Sequence, residues 1–313
     1  MTKLIARRLA ISVPLLFVVP FLTFVMATLA PGDPARTILG DDFTPEAYQA
    51  LRAELGLDKS LFAQYADWLR GVVQGDLGTS PVTGLSVSSE ILSRVGVTAS
   101  LVLLTTVVAT LIGVGLGVVS ALRAGWLAKA VDVISLVGFS FPSFWVGLVL
   151  VAFFAVKLGW FPATGFVPID ISARAWALAL ALPVTALAVH AIAMVAKQTR
   201  DAMLDTLSRD YILSLRARGI SERSIIFRHA LRNAAIPVST VIGLVFISLL
   251  DGTVLVESVF AMPGLGGLVV DATQRHEIPA IQGIVLTFTV VVVLINLLVD
   301  VLYGWLNPKA RVS

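Results

Sequence analysis

The chain has 313 residues, 57% of them hydrophobic and 14% charged, with no cysteine and a formal net charge of +3; its mean hydropathy is +0.92. Soluble proteins carry about 25% charged residues, so this composition excludes a soluble domain and requires several membrane spans. The lack of cysteine excludes a disulfide framework, a thiolate metal site and a cysteine nucleophile.

A span needs about 20 apolar residues to cross about 30 Å of hydrocarbon. Six stretches reach that length: 9–30, 98–122, 131–156, 176–197, 236–256 and 280–304. Lys3, Arg7 and Arg8 precede the first. That stretch is too long for a signal-peptide core, despite Pro14 and Pro20, so it reads as a retained span with its N-terminus inside. Lys and Arg concentrate at the N-terminus, in 123–129, in 199–237 and at Lys309 and Arg311. Basic loops stay cytoplasmic, which gives an all-α polytopic protein with six transmembrane helices and both termini cytoplasmic. The chain divides into 1–30 (cytoplasmic start and first helix), an extracytoplasmic helical segment 31–97, and a five-helix core 98–313.

Segment 31–97 is acidic and has two helix signals. Thr44 caps the first, Pro45 opens it, Phe43 can staple onto Tyr48, and Gly56 ends it. The second runs from Ser60 to about Val73 with Leu61, Tyr65, Trp68, Leu69 and Val72 on one face. Two readings stay open for it, an amphipathic cover and a platform for a partner. In the second span, Gly113 and Gly117 form a small-xxx-small pair that lets another helix approach. In the third, Pro142 predicts a bend, with Ser140 or Ser143 absorbing a freed backbone group.

Residues 199–237 form a charged insert between apolar spans and carry Arg200, Arg209, Arg216, Arg218, Arg223, Arg228 and Arg232, with Lys197 just before it. Asp210 to Ala217 contains neither Pro nor Gly, and Gly219 stands where a helix closes on a left-handed residue. Ser221 and Glu222 then predict a second short helix, on which Ile225, Ile226, His229, Ala230 and Asn233 share a side. A helix, a glycine corner and a helix would make a rigid knob; a basic loop that only fixes topology is the other reading.

Ionised side chains inside a membrane are costly, so each needs a reason: Asp251 either lines a path across the membrane or reaches interfacial water, and Asp300, with Asn296 on the same face, either lines such a path or hydrogen-bonds a neighbouring helix. Asp251 lies toward the outer end of the fifth span with Glu257 at or beyond its boundary. Asn296 and Asp300 lie one turn apart on the sixth. His190, midway along the fourth, reads as a packing residue. Neither a phosphate-binding P-loop, a zinc-protease helix nor a nucleophile elbow occurs, so catalysis by this chain is not expected and no cofactor or metal is assigned to it.

The run Asp210-Tyr211, Ala217-Arg218-Gly219, Ser221-Glu222-Arg223, Phe227 to Ala234 and Ile236-Pro237 resembles the cytoplasmic EAA loop of ABC importer permeases. More narrowly, it is similar to the dipeptide, oligopeptide and nickel branch. Ala30 to Pro34, Leu55 to Asp58, Gly75 to Gly78, Ser140 to Trp145, Gly159 to Gly165, Pro263 to Gly266 and Asn296 to Asp300 extend the likeness over nearly the whole chain. Leu213-Ser214-Leu215 stands where the family has Glu-Ala-Ala, a departure at Leu215 in a small-residue slot. The resemblance implies the type I permease fold in a bacterial inner membrane. It implies coupling to an ATPase through Arg209, Asp210, Tyr211, Arg216, Ala217, Arg218 and Gly219. The implied partners are a second homologous permease, two ATPase subunits that use ATP and Mg, an extracytoplasmic solute-binding protein and a peptide-like solute, and not a nucleic acid. The rival is a stand-alone proton-coupled carrier using Asp251, His190 or Asp300; it lacks an evident internal repeat.

Overall fold

The computed structural model describes residues 2–40, 44–123, 125, 129, 133, 138 and 140–306. Phe43 and its staple, most of the 123–129 loop, the opening part of the third predicted span, Lys309 and Arg311 lie outside them, as do the side chains of Lys3, Arg7 and Arg8. The described residues are helical, apart from turns, loops and an isolated bridge between Thr79 and Ser86. The helices are α1 (Thr2–Leu29), α2 (Pro34–Leu39), α3 (Pro45–Glu54), α4 (Leu61–Val73), α5 (Val87–Leu122), α6 (Ser143–Lys157), α7 (Ala173–Leu207), α8 (Asp210–Ala217), α9 (Glu222–Val259), α10 (Leu265–Gln274) and α11 (Ile278–Leu306).

Among the described residues, five helices are long and apolar enough to cross a membrane: α1 over Ala10–Leu29, α5, α7, α9, and α11 over Ile278–Gly304. The third predicted span is represented by α6, whose last turns widen to π geometry from Val151. Pro142 does more than bend that span. Its backbone is extended, with φ −61° and ψ 140°, and α6 starts after it. A proline ring and the restriction it places on the preceding residue both oppose helix continuation.

The chain forms two compact units, one of residues 1–6, 99–262 and 294–313, the other of 7–98 and 263–293. In the first, α7 is the buried element, packed against α6 and α9. Close approach depends on glycine. A Cβ on Gly113 would lie 2.7 Å from Val195 Cβ, and one on Gly117 would lie 2.5 Å from Thr199 Cβ and 2.7 Å from the Ala196 carbonyl oxygen. The predicted small-xxx-small pair is therefore the seat of α7 on α5. Gly243 of α9 meets Val299 of α11 in the same way, with 2.4 Å to Val299 Cγ2.

In the second unit, the N-terminal turns of α5 and α11 enclose α10 in an apolar cluster of Val87, Ile91, Leu265, Leu268, Ala280 and Ile284. This cluster explains why α5 begins eleven residues before the predicted span: Val87, Ile91 and Val95 recur every four residues and are packed together. The cap signals in 31–97 are realised. Thr44 Oγ1 accepts from Ala47 N at 3.1 Å, Pro45 opens α3, and Gly56 has φ +65°; Ser60, read as the first residue of the second helix, is instead its N-cap and accepts from Ala63 N at 3.4 Å. Tyr65, Trp68, Leu69 and Val72 are half-buried, and Tyr65 donates to the Phe17 carbonyl at 2.8 Å. Leu61 is exposed.

Sequence reading passed over the buried polar pair of this unit. Ser80 donates to the Glu277 carboxylate, and both are buried. Ser80 Oγ also accepts from Val82 N at 3.3 Å and Thr83 N at 3.0 Å, so one hydroxyl holds a turn and a carboxylate together. Ser80→Ala should lower stability by about 1–3 kcal/mol, the cost of leaving a buried acceptor unpaired. Thermal unfolding of the detergent-solubilised chain checks this.

Candidate coupling site

The knob is built where α7 ends. Arg209 is extended, with φ −78° and ψ 146°, and α8 follows. Gly219 closes α8 in the left-handed region at φ +75°. Its N–H bonds the Arg216 carbonyl at 2.9 Å, and the next N–H, of Ile220, reaches back to Leu215 at 3.2 Å. These two bonds satisfy carbonyls that the last turn would otherwise leave open.

Three side-chain links fix α8. Arg209 Nη2 donates to Asp205 at 2.6 Å, tying its start to α7. Asn233 Nδ2 donates to the Tyr211 hydroxyl at 2.8 Å, tying it to α9. Across the glycine corner, Arg216 Nε donates to Glu222 Oε1 at 2.7 Å and Nη2 to Oε2 at 3.3 Å, a two-pronged pair. Ile212 faces inward and is fully buried, while Leu213, 59% exposed, faces out.

The hydrogen bond from Arg216 holds the Glu222 carboxyl below its ordinary 4.5, and the burial opposing it is smaller. The same bond raises Arg216. With the folded value depressed, the clamp's contribution is present above the unfolded value and is lost as pH falls through the folded one. Carbon-detected NMR titration should place the Glu222 midpoint below 4.5. In Arg216→Gln it should return toward that value.

The seven predicted coupling residues, Arg209, Asp210, Tyr211, Arg216, Ala217, Arg218 and Gly219, are all exposed and lie together at one corner. The second half of the knob differs from expectation. Ser221 stands at the N-cap position without a side-chain cap bond, and no separate short helix follows. Glu222 begins α9, which passes through a π stretch at Ile225–Ala230 and continues to Val259. Nothing between Ser221 and Ile236 breaks a helix, so the knob's second arm and the fifth span are one rod. Ile225 and Ala230 are buried, Ile226 and His229 are half-buried, and Arg223, Arg228 and Arg232 are exposed. Asn233 is exposed and serves Tyr211 instead of the core. Leu215, in the small-residue slot, is half-buried one turn from Ile212, so its bulk is directed partly at the chain's own interior.

The candidates inside the membrane are dispersed. Asn296 and Asp300 lie one turn apart on α11; the first is exposed and the second half-buried. Asp251 is exposed on α9. Val299 meets Gly243, which is about 12 Å along α9 from Asp251, so the two aspartates do not form one cluster. His190 Nδ1 lies 3.4 Å from the Gly138 carbonyl oxygen, a packing role. Glu257, placed by sequence at or beyond a boundary, is fully buried.

A family model described as "binding-protein-dependent transport system inner membrane component" matches residues 113–312, and the model of its N-terminal part matches residues 1–102. The chain belongs to this family. As a family member it is a multi-pass permease of the bacterial inner membrane and not a member of an enzyme family. A chain of Brucella abortus (strain 2308), provisionally named a peptide transport system permease protein, is 42% identical over 312 residues, covering 99% of each chain. The glutathione transport system permease protein GsiC of Escherichia coli (strain K12) is 39% identical over 312 residues, again 99% of each. Two ABC transporter structures share the fold. An inward-facing form of the MetNI methionine transporter has a TM-score of 0.55 at 18% identity, covering 69% of this chain and 96% of that one. An amino acid ABC transporter crystallised with histidines has a TM-score of 0.52 at 18% identity, covering 69% and 94%.

Proposed function

We propose that this family member forms half of the translocation pathway of an ATP-driven importer for peptide-like solutes, beside a second homologous permease. Two ATPase subunits, binding ATP and Mg, supply the energy, and an extracytoplasmic binding protein delivers the solute. The peptide and glutathione systems named for its full-length relatives support this solute class. The permease converts motion of the ATPases into reorientation of its helices.

One observation carries the coupling role. The exposed corner from Arg209 to Gly219 is held at both ends by long apolar helices, and its α8 is tied to α7 by Arg209–Asp205 and to α9 by Asn233–Tyr211 and Arg216–Glu222. A push on α8 is therefore delivered to two spans. Moving a two-state equilibrium from 1:99 to 99:1 needs a bias of about 5.5 kcal/mol, and a stiff lever transmits such a bias where a loose loop would absorb it. Leu213 and Tyr211 give this corner apolar surface suited to a cleft on a partner.

Asp251, Asn296 and Asp300 are assigned to the pathway wall as polar groups on the two spans that cross at Gly243 and Val299. Copurification under mild detergent tests the assembly. The tagged permease should bring down ATPase subunits, and vanadate should stop uptake. A carrier working alone would instead respond to collapse of the proton gradient.

A further inference from the structure

Helix α4 carries more apolar surface than its own unit covers. Tyr65, Trp68 and Val72 recur at i, i+3 and i+7, and Phe62, Ala66, Leu69 and Val73 recur at i, i+4, i+7 and i+11, so two neighbouring stripes make one broad apolar arc. The first stripe packs on α1. The Tyr65 ring lies 5.2 Å from that of Phe21 and 5.9 Å from that of Phe24 between centroids, and its hydroxyl donates to the Phe17 carbonyl at 2.8 Å. The second stripe stays open at both ends. Phe62 stacks on Phe21 at 5.8 Å yet is 74% exposed, and Val73 is 80% exposed.

The height of α4 along α1 decides what meets this open stripe. The part of α1 able to cross a membrane ends at Leu29. Phe17, Phe21 and Phe24 precede Leu29 by 12, 8 and 5 residues, which places them about 18, 12 and 7.5 Å inside its outer end at 1.5 Å per residue. A second helix gives an independent measure. Gln282 Nε2 donates to the Pro20 carbonyl at 3.3 Å, and Gln282 stands four residues after Ile278, about 6 Å inside the start of α11. Pro20 lies between Phe17 and Phe21, so both helices put the α4 contact below the outer ends of the spans.

The opposite side of α4 is polar. Ala63, Asp67 and Arg70 share a stripe there, and the Asp67 carboxylate accepts from Lys59 Nζ at 2.7 Å and from Arg70 Nη1 at 2.6 Å. Ionised groups are costly in hydrocarbon, so this side has to meet headgroups and water. Tyr65 and Trp68, between the two environments, are of the types enriched at a membrane boundary. A helix lying in that boundary sinks its apolar face about 5–10 Å into it, a range that includes the depth measured along α11.

We propose that α4 is an interfacial helix of the outer leaflet, lying against α1 with Phe62, Leu69 and Val73 among phospholipid acyl chains and Arg70 at the lipid phosphates. The partner of the open stripe is therefore the lipid surface. Of the two readings left open by the sequence, this favours a cover: the apolar arc of α4 is occupied by α1 and lipid and is not offered to a protein.

The chain contains no cysteine, so Phe62→Cys, Val73→Cys and, on the polar stripe, Ala63→Cys each supply a single thiol for a nitroxide label. The full-length variants are placed in lipid nanodiscs without ATPase subunits. Electron paramagnetic resonance then compares collisions with oxygen, which concentrates among acyl chains, and with a water-soluble nickel chelate. Labels at 62 and 73 should favour oxygen several-fold over the chelate, and the label at 63 should show the reverse. Leu69→Cys, on the open stripe, repeats the measurement should either of the first two variants fail to insert. Chelate access on the open stripe equal to that at 63 would overturn the proposal, because the stripe would then face water. Exclusion of both reagents there, the mark of burial against protein, would overturn it as well.

Discussion

Gly219→Val should cut solute uptake about tenfold or more while leaving the permease inserted and extractable. The residue sits at φ +75°, where a Cβ meets its own carbonyl oxygen, at a cost of about 1–2 kcal/mol for an L-residue. A β-branched side chain is a greater outlier there. Space is not the obstacle, because a Cβ at Gly219 has nothing within 4 Å. The strain is relieved only by giving up the left-handed closure, and with it the Gly219 and Ile220 N–H bonds that set the angle of α8. A loss of about 1.4 kcal/mol in transmitted bias is already tenfold in rate. Gly219→Asn, which tolerates the left-handed region, should retain most uptake. Uptake assays of the two variants at equal membrane abundance check this, and undiminished uptake in Gly219→Val would contradict it.

Gly117→Val should act through folding. The new Cβ would lie 2.5 Å from Thr199 Cβ and 2.7 Å from the backbone oxygen of Ala196, and backbone cannot step aside as a flexible side chain can. Overpacking of this kind costs about 1–3 kcal/mol, and here α5 must also separate from the most buried helix of its unit. Gly115→Val is the internal control. It places the same side chain two residues away on an exposed position with nothing within 4 Å, so its change should stay within about 0.5 kcal/mol. Thermal denaturation in detergent separates the two.

Features decided within a few residues of chain were legible in the sequence. The cap at Thr44, the stops at Gly56 and Gly219, and the glycine pair at 113 and 117 depend on local backbone geometry and size, and each is where its pattern placed it. The start of α5 was hidden because Ser88, Ser89, Glu90, Ser93 and Arg94 mask the four-residue recurrence of Val87, Ile91 and Val95. The partners of that stripe, in α10 and α11, lie far along the chain.

Distance also hid the Ser80–Glu277 pair, whose members are 197 residues apart. Ser221 and Glu222 carried a valid helix-start signal, but no residue pattern showed that this helix would run without interruption into the fifth span. Glu257 was read as interfacial because it closes an apolar run, whereas tertiary packing buries it completely. The residues of the Arg209–Gly219 corner were named from the resemblance, and the links from Asn233 to Tyr211 and from Arg216 to Glu222 were not, since both depend on how the corner folds back.

The central claim is that this chain reorients only when driven through the Arg209–Gly219 corner by a nucleotide-hydrolysing partner. Reconstitution in sealed proteoliposomes tests it most directly, with uptake of a labelled peptide followed in the presence and absence of the copurifying ATPase subunits and ATP. The account predicts accumulation only with both present, abolished by vanadate and indifferent to collapse of the proton gradient. Accumulation by the permease chain alone, driven by a proton gradient, would contradict it.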